Sequence, residues 1–148
     1  MDIGEVKARV RKAAETFGLP MVEREWVCNS RLAQELGAWA ETKGKDGEFH
    51  KAVFWAYFVD GIDISKVSGL IDVARSVGLP EGESRKVLEG RVFRDVIDFD
   101  WAYCRKMGVT EVPIAVIGKH AMIGAQPYEV FEHLMMAGNV ERRQSLGK

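Results

Sequence analysis

The most restrictive feature of this sequence is that strand-forming residues are concentrated in one place, late in the chain. Ile114-Ala115-Val116-Ile117 is rich in β-branched residues, and His120-Ala121-Met122-Ile123 follows after Gly118-Lys119. Glycine at the first position of a two-residue loop is the requirement of a type II′ turn, so the two runs should return antiparallel as a hairpin. A lone pair of strands is marginal in water. The hairpin therefore calls for a covering helix and for more sheet than this segment supplies. That places the chain in the α/β class, although most of it reads as helix.

The helical reading starts with Asp2 as a cap and an apolar stripe of Ile3, Val6, Val10, Ala13, Ala14 and Phe17. Gly18 and Pro20 end that helix. Met21 to Val27 alternates weakly and reads as a short extended segment. Asn29 or Ser30 then caps a second helix with Leu32, Leu36, Trp39 and Ala40 on one face, ended by Gly44. A third runs from Gly47 to Val59, and Ser65 caps a fourth carrying Val67, Leu70, Ile71, Ala74 and Val77. A fifth spans Glu81 to Glu89. The sixth has the clearest period, with Val92, Val96, Phe99, Tyr103 and Met107 at steps of three and four before Gly108. After the hairpin, Pro127 opens a last helix with Val130, Phe131 and Leu134 turned inward. The tail from Gly138 is polar.

Several ordered motifs carry a resemblance. Gly108-Val109-Thr110-Glu111-Val112-Pro113 followed by Ile114–Ile117 is similar to the cis-proline loop and next strand of DsbA-type thioredoxin-fold proteins. Gly124-Ala125-Gln126-Pro127 resembles the hairpin end of their FrnE-like branch. Asn29-Ser30-Arg31-Leu32-Ala33 and the stretch from Phe49 to Phe58 resemble two helices of that branch's inserted domain. The resemblance implies a partial thioredoxin-like fold divided as 1–28, a helix and extended segment; 29–107, a helical domain; 108–137, proline loop, hairpin and last helix; and 138–148, a polar tail. It also implies disulfide exchange, with Pro113 as the cis-proline and Val112 presenting a backbone edge to a peptide or protein substrate.

The family's reactive Cys-x-x-Cys opens a helix inside an N-terminal β-α-β unit, where the helix N-terminus stabilises the thiolate. This sequence contains no Cys-x-x-Cys; Cys28 and Cys104 are its two cysteines. The expectation is a chain without the β-α-β half, inactive alone in disulfide exchange, and free to form a homo-oligomer or to pair with a chain that completes the sheet. A non-catalytic peptide-binding or oligomerisation module is the alternative, and a relative of the kappa-class glutathione transferases ranks last.

Other chemistry is excluded residue by residue. Both cysteines read as core or near-core thiols without metal ligands at usable spacing, and Cys104 as a packing residue. Phe49, Phe54, Trp55, Tyr57 and Phe58 read as core aromatics. His50, His120 and His133 stand singly, and Asp60/Asp63 and Asp98/Asp100 read as solvated acids. A formal net charge of −1 and the short Glu141-Arg142-Arg143 run give no nucleic-acid footprint. No phosphate loop or metal motif suggests a cofactor, no apolar run suits a membrane span, and the N-terminus has no signal-peptide pattern, so a cytoplasmic location is expected.

Overall fold

The computed structural model describes residues 3–24, 26–141 and 143. The order is α1 (Ile3–Thr16), α2 (Arg31–Thr42), α3 (Asp46–Phe58), α4 (Val67–Ser76), α5 (Glu81–Glu89), α6 (Arg94–Lys106), β1 (Ile114–Ile117), β2 (His120–Ile123) and α7 (Tyr128–Ala137). The expected Asp2 cap and Ile3 side chain lie outside the described residues, as do Arg142 and residues 144–148 of the tail. The chain divides into two units, residues 1–99 and 100–148, with α6 running across the division.

The first unit owes its core to α2–α5. Leu36, Phe49, Leu70 and Leu88 are almost fully buried, joined by Trp39, Ala56, Ile71, Ala74 and Val87. The period-3.6 stripes read from α2 and α4 are the faces that meet there. Gly18, Gly44 and Gly78 take left-handed φ values of 62°, 66° and 79°, as helix-ending glycines should. Gly69 has another role: a Cβ there would lie 2.8 Å from the Asp63 carbonyl oxygen, so only glycine lets α4 approach that turn. Residues 21–24 and 26–27 form no strand; the segment is tied down where the Val22 N–H donates to the Phe58 carbonyl at 2.8 Å.

Three local expectations change. Ser65 does not cap α4, which begins after Lys66; its N–H and hydroxyl instead donate to Asp63, a half-buried turn-forming acid rather than a solvated one. Ser30 holds the cap position of α2 without capping, while Asn29 Oδ1 accepts from the Arg31 N–H at 2.9 Å. Of the aromatic group, Phe49 is buried but Phe54 and Trp55 are 62% and 56% exposed. These two line an open groove of about 590 Å³ with Val10, Ala13, Phe17 and Leu19, so the α1 stripe shares a face as expected but is not covered.

In the second unit the hairpin pairs Ile114 with Ile123, Ala115 with Met122, Val116 with Ala121 and Ile117 with His120. Gly118 has φ +58°, while Lys119 has no positive φ, the sign pattern of a type II′ turn. Met122 and Leu134 are buried together where α7 lies against the hairpin. A Cβ on Gly138 would stand 3.1 Å from Ile117 Cβ, so the end of α7 meets β1 closely. Val130 and Phe131, expected to turn inward, are 37% and 39% exposed. The α6 stripe is also uncovered: Val96, Phe99, Tyr103 and Met107 face solvent, and Ile97 is the buried residue of that helix. Hydrophobic period shows which residues share a face; it does not show that anything in the chain lies on it.

Candidate functional site

The loop between α6 and β1 is built by its glycine. Gly108 takes φ +73°, its N–H donating to the Arg105 carbonyl, and the Val109 N–H reaches back to the Cys104 carbonyl, both at 3.0 Å. Those bonds satisfy the last carbonyls of α6 and send the chain into Val112 and Pro113, joined by a cis peptide bond. Val112 is 84% exposed, an unusual placement for an aliphatic side chain two residues before a strand. The Pro113 carbonyl accepts from the Gly124 N–H at 2.7 Å, which locks the loop to the far end of the hairpin.

The Gly-Ala-Gln-Pro run performs the matching task on β2. Gly124 has φ +85°, Gln126 Nε2 donates to the Ile123 carbonyl at 2.9 Å, and Pro127 occupies the cap position of α7. The glycine, amide and proline thus end the strand, clamp it and start the helix within four positions of sequence. Met122 points towards α7. Val116 and Ile123, on the opposite face, are 54% and 48% exposed. Among the described residues β1 pairs with β2 alone, so its other edge is open.

Neither cysteine sits in this loop. Cys28 is half-buried before α2, lining a cavity of about 410 Å³ with Gln34, Phe49, His50 and Tyr57. Burial, then the nearby Asp63 charge, pushes its thiol above the ordinary value, the wrong direction for a nucleophile. Cys104 is exposed on α6, a correction to its reading as a packing residue. Of the histidines, His50 and His133 are exposed and His120 is half-buried. Among the described residues no cluster of His, Cys, Asp and Glu is placed to hold a metal ion, and no helix is long and apolar enough to cross a membrane.

Sequence reasoning missed one charged centre. The Glu35 carboxylate has no solvent exposure, yet it accepts from Arg91 Nε and Nη2, both at 2.7 Å, and from Arg31 Nε at 2.8 Å. Arg31 continues to Asp98 at 2.7 Å and to the Arg94 carbonyl at 2.8 Å. The Arg91 hydrogen bonds outweigh burial and hold the Glu35 carboxyl below its usual range. Asp98, read as a solvated acid, belongs to this network. The arginine of the Asn-Ser-Arg run is thus a structural tie between α2 and α6. The signal was available: Glu35 lies three residues after Leu32 and four before Trp39, inside the apolar stripe.

A proline loop, an antiparallel hairpin and a helix packed on it form the β-β-α half of a thioredoxin-type α/β fold, in a chain that also contains a helical unit. The chain belongs to the DSBA-like thioredoxin domain family, whose model matches residues 2–136. It is similar to a curated protein of Bacillus subtilis (strain 168), the uncharacterized protein YwbO, with 32% identity over 103 residues. That match covers 68% of this chain and 51% of YwbO, so the chain spans about half the length of its relative.

Proposed function

We propose that this chain is the substrate-facing part of a FrnE-like thiol–disulfide oxidoreductase and is inactive on its own in disulfide exchange. Family membership supports the relation to thiol–disulfide chemistry. The observation that carries the reading is the placement of Val112: 84% exposed, next to Pro113, two residues ahead of β1. An extended peptide could dock there by adding its backbone to the loop. Exchange itself needs a thiolate to attack a disulfide sulfur and a second thiol to resolve the mixed disulfide. Cys28, with its raised pKa, and Cys104, with no cysteine three positions away, do not form such a pair. The reactive pair would come from outside these 148 residues. A cytoplasmic location belongs to the same proposal, in keeping with two free thiols.

The test is a glutathione-coupled assay with a fluorescent disulfide peptide. The expected result is no turnover above background, together with a shift of the Val112 and Ile114 amide signals when an extended peptide is added. Turnover that disappears in Cys28→Ser or Cys104→Ser would refute the inactive reading. Peptide binding that leaves those two amides unmoved would refute the docking edge.

A further inference from the structure

We propose that the cavity lined by Cys28, α2 and α3 is a binding site for a neutral aromatic small molecule of two fused rings bearing a hydroxyl or ketone oxygen. Its walls come from one unit of the chain, since every lining residue lies between 28 and 64. Helix α3 supplies the rings of Phe49, Phe54, Tyr57 and Phe58. Contacts within the protein hold them before any ligand arrives. Phe49 is almost fully buried, Phe54 and Phe58 stack with centroids 6.1 Å apart, and Tyr57 meets Phe58 edge-on at 4.9 Å. The Arg24 guanidinium lies 3.4 Å from the Tyr57 ring centroid and holds that ring further. A preformed wall spares a ligand the cost of ordering it.

Size and charge define the occupant. The cavity holds about 410 Å³, against the roughly 150 Å³ of an engineered cavity that takes up benzene, and it lies in the ordinary range for small-molecule sites. Two fused rings with a substituent fit it; a single side-chain ring leaves much of the space unfilled. Among the described residues no Asp, Glu, Lys or Arg lines it, so an ionised ligand would shed its hydration with no opposite charge in return. Burial is the main cause that pushes the Cys28 thiol above its ordinary value, which marks the surroundings as weakly solvating. Ser30, Gln34 and His50 interrupt the apolar wall. Gln34 Nε2 donates to Ser30 Oγ at 3.0 Å, and the Ser30 hydroxyl keeps its own proton to donate. His50 Nε2 stands 3.8 Å from where a Gly37 Cβ would be, so the imidazole lies against α2. A ligand oxygen is what the Ser30 donor calls for.

The probe is 2-naphthol, uncharged at neutral pH, with 2-naphthoate as its ionised counterpart. On the full chain 2-naphthol should bind with a Kd of about 0.1–1 mM and shift the Ala33 and Val53 methyl signals in NMR to saturation. At about 1 mM it should slow alkylation of Cys28 by iodoacetamide about two- to tenfold. Cys104, exposed and not among the lining residues, should keep its rate and serves as the internal control. The naphthoate should bind at least about tenfold more weakly. Ser30→Ala should weaken 2-naphthol by about three- to tenfold. Ser30 is exposed and makes no cap bond, and far-UV circular dichroism checks that the variant stays folded. Unmoved methyl signals, or protection of neither cysteine or of both, overturns the proposal. So does naphthoate binding as tight as that of naphthol, or full affinity in Ser30→Ala. N-acetyltyrosine amide binding as tightly as 2-naphthol would assign the cavity to a peptide side chain and overturns the proposal too.

Discussion

Replacing Glu35 by Gln should destabilise the first unit by about 2–4 kcal/mol at neutral pH. The substitution keeps the side-chain volume and one acceptor oxygen, so packing around Leu36 and Trp39 is left intact. It removes the charge and turns an amide N–H₂ towards an arginine donor. Glu35 accepts from Arg91 at both oxygens and from Arg31 at Oε1. With the amide oxygen at the Oε1 position, the Arg91 Nε bond is lost outright and the two others lose their charge assistance. Hydrogen bonds to charged groups contribute roughly 1.5–3 kcal/mol each. The Arg91 side chain is 43% exposed and can turn to water, which limits the loss. The sign of the pH dependence follows from the lowered carboxyl. Its folded pKa lies below the unfolded value, so the contribution is complete above an unfolded pKa of about 4.3 and is lost as pH falls through the folded value. Urea denaturation followed by far-UV circular dichroism, at pH 7 and stepwise down to about pH 3, measures both effects. Glu35→Gln should approach the parent at the acid end. A loss under about 0.5 kcal/mol at pH 7, or one that does not shrink in acid, would refute the argument that the buried carboxylate is held ionised by its arginines.

Two further outcomes follow from packing and burial. Gly138→Ala should cost about 1–3 kcal/mol in the second unit, read by hydrogen exchange of the β1 and α7 amides, because the added methyl meets the branched carbon of Ile117; unchanged protection would contradict that contact. In the native protein at about pH 8, Cys104 should react with a thiol reagent at least about tenfold faster than Cys28, since Cys28 is partly buried and its pKa is raised; mass spectrometry of the labelled peptides decides it, and equal rates would contradict the burial argument.

Much of the local structure was legible in the sequence because local chemistry determines it. Glu81–Glu89 is a helix at the residues its flanks announce, Gly118 makes the hairpin turn, and Gly18, Gly44, Gly78 and Gly108 stand where helices end. What the sequence did not reveal depends on partners far along the chain. Arg91 and Glu35 are 56 residues apart, and no local pattern pairs them. The regular α6 stripe is as apolar as a core face should be, yet Phe99 is 71% exposed, since period carries no information about what packs against it. At the candidate site, the motif order located Val112 and Pro113, but the exposure of Val112 and the bond from the Gly124 N–H to the Pro113 carbonyl follow from how the loop folds back on the hairpin, which the sequence does not print.

Arg91 shows two physical demands opposed at one position. It follows the end of α5 with φ +50°, a backbone region costly for a branched or bulky residue and free for glycine. Glycine there would relax the chain but abandon the buried carboxylate; lysine would keep a charge but lose the flat two-pronged grip. Drift at residue 91 is therefore tethered to residue 35. Exchange of the arginine is tolerable only when the acid is replaced by an apolar side chain of similar size, so the two positions should change together or not at all.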